Sequence, residues 1–216
     1  HGGFFMIGAY VAYAASLHFG FWAALVVSVV LLAALGVPLD RFVFRPLAKE
    51  DPIATLLVTF GLLFLLEDGV RTIWGKDYIS VAAPDPLGGT VMILGTQFPT
   101  YRLFVVAVAI AVAVGLALWL RLTRVGLYVR ASSVDPVTTG MQGVNTDRIS
   151  AIVVAIGIGL AGLSGTIASP LMALSPSMGG YIIIDCFIVV VTGGLTSFLG
   201  AFIAALLIAE LKAVCI

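Results

Sequence analysis

A chain of 216 residues that is 61% hydrophobic and 10% charged, with a mean hydropathy of +1.18, has too little polar surface for a soluble domain, where about a quarter of residues are charged. Eleven basic residues balance eleven acidic ones, so the chain lacks the positive excess that marks a nucleic-acid partner. The solvent that fits this composition is a lipid bilayer, with the charges gathered in aqueous loops.

A spanning helix needs about 20 mostly apolar residues. The sequence predicts an all-α, polytopic transmembrane bundle with candidate segments at 2–17, 19–37, 53–66, 103–120, 149–168, 181–192 and 198–216. Segments 2–17, 53–66 and 181–192 are short. They reach across only if flanking residues join the helix; otherwise they enter the membrane without crossing it, which is tolerated where protein or a cavity surrounds them. The chain starts at His1 without an initiator Met and stops inside an apolar run, so 1–216 reads as one transmembrane domain with both ends missing.

Loop 38–52 carries Arg41, Arg45 and Lys49, and loop 121–148 carries Arg121, Arg124, Arg130 and Arg148. The positive-inside rule makes both cytoplasmic. Loop 67–102 mixes Glu67, Asp68, Asp77 and Asp85 with fewer bases and several Pro and Gly residues, and reads as external. The same parity places 169–180 outside. Trp22, Trp74, Trp119, Tyr78, Tyr101 and Tyr181 fall near predicted span ends, where interfacial aromatics collect. Glu67 and Asp68 close a span, and the adjacent water accounts for them.

Within 149–168, Gly157, Ala161, Gly165 and Ala168 share roughly one helix face, with Gly159, Gly162 and Ser164 beside it. Small residues at this spacing let helices approach closely in lipid. The face therefore either packs against a neighbour or lines a pathway. Asp185 is an acid in the middle of an apolar segment, a placement that calls for a cavity or a partner. Residues 192–201, TGGLTSFLGA, place Gly193 and Gly194 where a continuous helix is costly. They predict a break, either a plain turn or a discontinuity beside a substrate path.

In VRASSVDPVTTGMQGVNTDR, residues 129–148, Asp135 followed by Pro136 has the form of a helix start. Gly140 and Gly143 interrupt or end that short helix, and residues 145–147 can cap the next span. A short helix held between two spans is either a docking knob for a peripheral partner or a solvated loop. Cys186 and Cys215 have no partner spacing and read as small buried hydrophobes. No Walker A, HExxH or GxSxG sequence and no metal-type His or Cys cluster occurs, so any energy source lies in a partner or a gradient.

These residues carry a resemblance. HGGFFMIGAY at 1–10, the Arg130–Ala131 pair leading through Asp135 to the Gly143, Val144, Asn145 turn, and TGGLTSFLGA resemble, in order, three motifs of the LivH-type permease subunits of ABC importers for branched-chain amino acids. Thr196 stands where that family usually has Gly. The resemblance implies translocation of branched-chain or related amino acids across the bacterial inner membrane by alternating access. The implied partners are cytoplasmic ATPase subunits that hydrolyse the ATP, a second, LivM-like permease subunit and a periplasmic solute-binding protein. No cofactor or metal is implied in this chain. Loop residues Arg130, Ala131, Asp135, Gly140, Gly143, Val144 and Asn145 would couple to the ATPases. Gly157, Ala161, Gly165, Asp185, Gly193, Gly194 and Thr196 would border the substrate path. Alternatives are an ABC permease for urea or short amides, and an ion-gradient-driven secondary transporter or channel; a membrane-embedded enzyme and a scaffold rank below them.

Overall fold

The computed structural model describes residues 1–48, 50–93, 96–194 and 197–215. Helix α1 (Gly2–Leu39) covers the first two predicted segments and is broken at Gly20, whose φ of 77° and ψ of 168° are not helical. The left-handed φ suits a residue without Cβ. The chain doubles back there. His1 lies beside Gly157 and Gly36 beside Ala155, whereas an unbroken helix would part the two ends by roughly 50 Å.

Pro38 lies in the last turn of α1 and cannot donate an N–H to the helical ladder. A π-helical turn, Asp40–Phe44, follows at once and runs into the short α2 (Arg45–Leu47). The short segment 53–66 gains residues at both ends and becomes α3 (Pro52–Trp74), with Pro at its first position and Gly75 at φ 88° after its last. Its 23 residues are enough to cross a bilayer.

Beyond α3, the external-type loop contains a 3-10 turn (Asp85–Leu87) and an antiparallel hairpin of β1 (Thr90–Ile93) and β2 (Thr96–Pro99), paired Thr90 to Pro99 and Val91 to Phe98. Helix α4 (Thr100–Leu122) is followed by α5 (Arg124–Val134), α6 (Pro136–Met141) and α7 (Thr146–Ala168). The chain continues with α8 (Met178–Gly193) and α9 (Phe198–Cys215).

The main interface wedges α7 between the two arms of α1. Glycines set its closeness. A side chain at Gly8 would meet the Gly162 Cα at 2.5 Å, and one at Gly165 would lie on the Phe5 carbonyl oxygen at 1.9 Å. One core cluster gathers Phe5, Met6, Ala9, Tyr10, Val70, Leu174 and Met178; a second joins Phe4, Leu32 and Ile158. Tyr10 is fully buried against Trp74, with no hydrogen-bond partner for its hydroxyl among the described residues.

The loops sort into two layers. At one end Ile79 and Leu174 exchange backbone hydrogen bonds of 3.1 and 2.8 Å, joining loop 67–102 to the α7–α8 connection. At the other end Arg45 reaches Asp147, joining loop 38–52 to the end of loop 121–148. Two polar residues read from sequence as interfacial are in fact buried. Tyr101 packs against Phe21 and donates a 2.8 Å hydrogen bond to the Ile167 carbonyl. Glu67 lies 3.9 Å from Arg71 and close to Gly180 in the first turn of α8, where the positive end of the helix dipole suits a carboxylate. Asp68 is exposed.

Candidate functional site

Three features stand out: a knob on the basic layer, a polar clasp beneath it and a charged hairpin at the side. The knob is α5 with α6. Thr123 ends α4 and caps α5, its hydroxyl accepting from the Gly126 N–H at 3.0 Å. A side chain at Gly126 would run into the Leu120 carbonyl at 2.4 Å, so α5 can fold tightly under α4. Arg130 donates to that same Leu120 carbonyl, which places a cation at the negative end of α4.

Asp135 caps α6 by accepting from the Val137 and Thr138 N–H groups, both at 3.0 Å, and from the Thr138 hydroxyl. The hydroxyl and amide of Thr138, then the Val137 amide, hold the Asp135 carboxyl below the usual carboxylate range. Gly140 lies inside α6, Gly143 makes the following turn at φ 84°, and Asn145 caps α7 through the Arg148 N–H. Ala131 is exposed and Val144 half-buried. Around this frame Val134, Val137 and Met141 project at 87%, 65% and 82% exposure. Val137 and Met141, four apart, share one face of α6.

The clasp centres on Asp40, which is fully buried. It accepts 2.6 Å hydrogen bonds from Arg45 Nη2 and from the Ser150 hydroxyl. Arg45 also donates to the Asp147 carbonyl at 2.9 Å and pairs with its carboxylate at 3.2 Å, while its Nε has no partner among the described residues. The clasp thus ties α1 and α2 to the start of α7, directly after the knob.

Helices α8 and α9 form a hairpin. A side chain at Gly193 would lie 2.4 Å from the Ala201 Cα, and Gly194 turns the chain at φ 89°. Thr196 lies outside the described residues. Asp185 pairs with Lys212 of α9 at 2.5 Å. Sequence reading passed over Lys212 because it lies close to the chain end and 27 residues from Asp185. Cys186 is half-buried, not fully buried as expected.

The predicted path residues divide. Gly157 and Ile183 both neighbour the start of α1, at His1 and Gly2 respectively, whereas Asp185, two residues on and so on the opposite side of α8, faces α9. Ala161 packs into the second core cluster and Gly165 is buried against Phe5. Gly193 and Gly194 lie further off, at the end of α8. A cavity of about 70 Å³ lies at the start of α1, lined by His1, Gly3, Phe4, Thr59, Leu63 and Ile183 among others. Among the described residues no group of three His, Cys, Asp or Glu is placed to hold a metal ion.

The sequence itself has counterparts among known proteins. The family described as branched-chain amino acid transport system, permease component, matches residues 1–216. The chain belongs to this family.

Relatives of the permease include the high-affinity branched-chain amino acid transport system permease protein LivH of Escherichia coli K12. It is 26% identical over 96% of this chain and 72% of its own length. LivH of Salmonella typhimurium is 25% identical over 99% of this chain and 74% of its own. BraD of Pseudomonas aeruginosa, of the same printed description, is 26% identical over 99% and 74%. No solved structure matches. The permease is a multi-pass, all-α membrane protein of the LivH type, an ABC transport permease.

Proposed function

We propose that this permease carries branched-chain amino acids across the bacterial inner membrane by alternating access, and that partner ATPases drive it through the α5–α6 knob. The observation that carries the coupling half is the projection of Val137 and Met141 from α6, one turn of chain from α7. Asn145 and the Asp40–Arg45–Asp147 clasp fasten that turn to the end of α1 and to α2. Force applied to the knob passes into rigid helices, not into slack chain.

In this reading loops 38–52 and 121–148 face the cytoplasm, and ATP is bound and hydrolysed on the partner subunits. A periplasmic binding protein delivers substrate from the opposite side. A second, LivM-like permease subunit closes the path, which Gly157, Ala161, Gly165, Asp185, Gly193, Gly194 and Thr196 border. The ATPases shift the balance between outward and inward states because they bind the two with different free energy.

The test is uptake of labelled leucine, isoleucine, valine and urea by cells lacking their own system, with co-purification of the ATPase. Leucine uptake that ceases on ATP depletion is expected, as is release of the ATPase by Arg130→Glu combined with Gly143→Pro. Uptake that survives ATP depletion and follows an ion gradient would overturn the ATP-driven reading. Urea uptake without leucine uptake would overturn the substrate.

A further inference from the structure

We propose that Asp185 and Lys212 form a station for the two charges of a free α-amino acid, Asp185 taking its ammonium and Lys212 its carboxylate. This rests on the transport reading above and names the site within it.

Depth is the first argument. Gly2 packs against Gly179 and Ile183, and Gly179 in turn against Leu63, the central residue of the 23-residue α3. Asp185 lies six residues past Gly179, about 9 Å along α8, so the pair sits within the apolar span, between its middle and the Gly193 turn. Exposure is the second. The Asp185 side chain is 41% exposed and that of Lys212 52%. Charges so open at that depth do not face acyl chains; they face water or protein. Tyr181, Ile184, Ile188 and Leu211 around them are exposed and largely apolar, so the pair is an isolated polar spot on an otherwise apolar face.

Charge balance supplies the ligand class. An amino acid at neutral pH carries one ammonium and one carboxylate. Placed between Asp185 and Lys212, it gives each protein charge a new partner of the correct sign and leaves the total at zero. A lone amine or a lone acid would leave one protein charge unpaired in a low-dielectric setting, which is strongly unfavourable. The station thus selects zwitterions, and its apolar surroundings receive an aliphatic side chain. Without substrate, the two residues neutralise each other.

Gly193 and Ala201 pin α8 to α9 beside the turn. Asp185 is eight residues up α8 from Gly193, about 12 Å along the axis, so the charged pair lies away from the pinned end.

The experiment uses the full permease reconstituted with its ATPases and binding protein. In Asp185→Asn/Lys212→Gln both charges go together, so neither is stranded and the fold should persist. Leucine uptake is expected to fall at least tenfold while assembly and melting temperature hold. The exchanged pair Asp185→Lys/Lys212→Asp keeps an ion pair but reverses its direction, and should fail likewise. Leucine uptake within twofold of the unaltered complex in either double variant overturns the station while leaving the transport reading intact. Urea uptake without leucine uptake in the unaltered complex overturns both.

A second measurement needs no substitution. Carbodiimide labelling of Asp185 in the unaltered complex, read by mass spectrometry, should drop at least fivefold with leucine-loaded binding protein present. Equal labelling with and without leucine overturns the station.

Discussion

The hydroxyls of Ser28 and Thr166 lie 2.6 Å apart, both fully buried, where the second arm of α1 meets α7. Thr166 also approaches the Gly162 carbonyl at 2.9 Å and the Gly8 carbonyl of the first arm at 3.3 Å. One contact group therefore joins all three helical pieces. Interhelical hydrogen bonds in membranes average about 0.6 kcal/mol and reach about 1.7. Ser28→Ala is expected to cost about 0.6 kcal/mol and Thr166→Val about 1.5 kcal/mol, since Thr166 serves more partners. The double variant should cost less than the sum. Unfolding of the purified permease in mixed micelles measures all three, and strict additivity would show that the two hydroxyls do not interact.

Glycines on α7 separate into two kinds that a sequence pattern lumps together. Gly165→Leu drives a side chain into the Phe5 backbone, contact beginning at 1.9 Å, and neither helix can yield without moving the other. Folded yield should collapse. At Gly157 an added Cβ meets only the His1 ring, at 3.5 Å, so Gly157→Ala should leave stability within about 1 kcal/mol of the parent or raise it. Uptake then becomes informative. A folded Gly157→Ala permease with impaired leucine uptake would place Gly157 on the path, and unchanged uptake would make it a packing residue.

Apolar runs were legible because membrane solvation is local and additive. Segments 103–120 and 149–168 needed no knowledge of their neighbours, and Asp135–Pro136 announced α6 because a cap is a contact between residues three apart. What escaped reading depends on residues far apart in sequence. Nothing near Asp40 names Ser150, nothing near Ser28 names Thr166, and Asp185 finds Lys212 only because α8 and α9 turn back on each other. Helix α5 was missed for another reason. Its start is a single capping threonine, Thr123, directly after an apolar helix that gives no sign of stopping. The β1–β2 hairpin was hidden inside a loop marked only by Gly and Pro.

Asp40→Ala tests the clasp. The substitution takes from Arg45, whose buried Nε has no partner among the described residues, one of its two carboxylates, and removes the acceptor of the Ser150 hydroxyl. Breaking a buried pair costs about 3–5 kcal/mol. Because Arg45 is 31% exposed and keeps Asp147, about 2 kcal/mol is expected here. Asp147→Ala, whose side chain is 67% exposed, should cost no more than about 1 kcal/mol. Equal losses would mean that Asp40 does not anchor the clasp. Melting temperature of the two variants gives the comparison.

Asp135 gives the knob a defined pH response. Its folded pKa is lowered, so the carboxylate form is the one that folding favours. The stabilisation is complete above the ordinary carboxylate pKa of 3.8 and is lost as pH falls through the folded value below it. The protection of the Val137 and Thr138 amides, taken relative to the intrinsic exchange rate at each pH, should hold from neutrality down to about pH 4 and fall below it. In Asp135→Ala the same amides should lack that protection at every pH. Asp135→Ser, which keeps a capping oxygen, should restore protection without the acid-dependent step. A step that survives in the serine variant would assign it to another group.

The last test separates docking from folding at the knob. Met141 is 82% exposed and Val137 65%, so a polar side chain at either position breaks no internal contact and should change stability by less than about 0.5 kcal/mol. A charged residue in the apolar centre of an interface is a different matter, because desolvation there has no compensating partner. Val137→Glu/Met141→Glu is therefore expected to melt like the unaltered permease, yet to co-purify with at least tenfold less ATPase and to lose leucine-stimulated ATP hydrolysis. The control is Leu122→Glu, equally exposed at 77% but at the end of α4, which should leave ATPase binding within twofold. If Leu122→Glu releases the ATPase and the α6 pair does not, the contact lies at the foot of α4 and α6 serves only to cap the entry to α7.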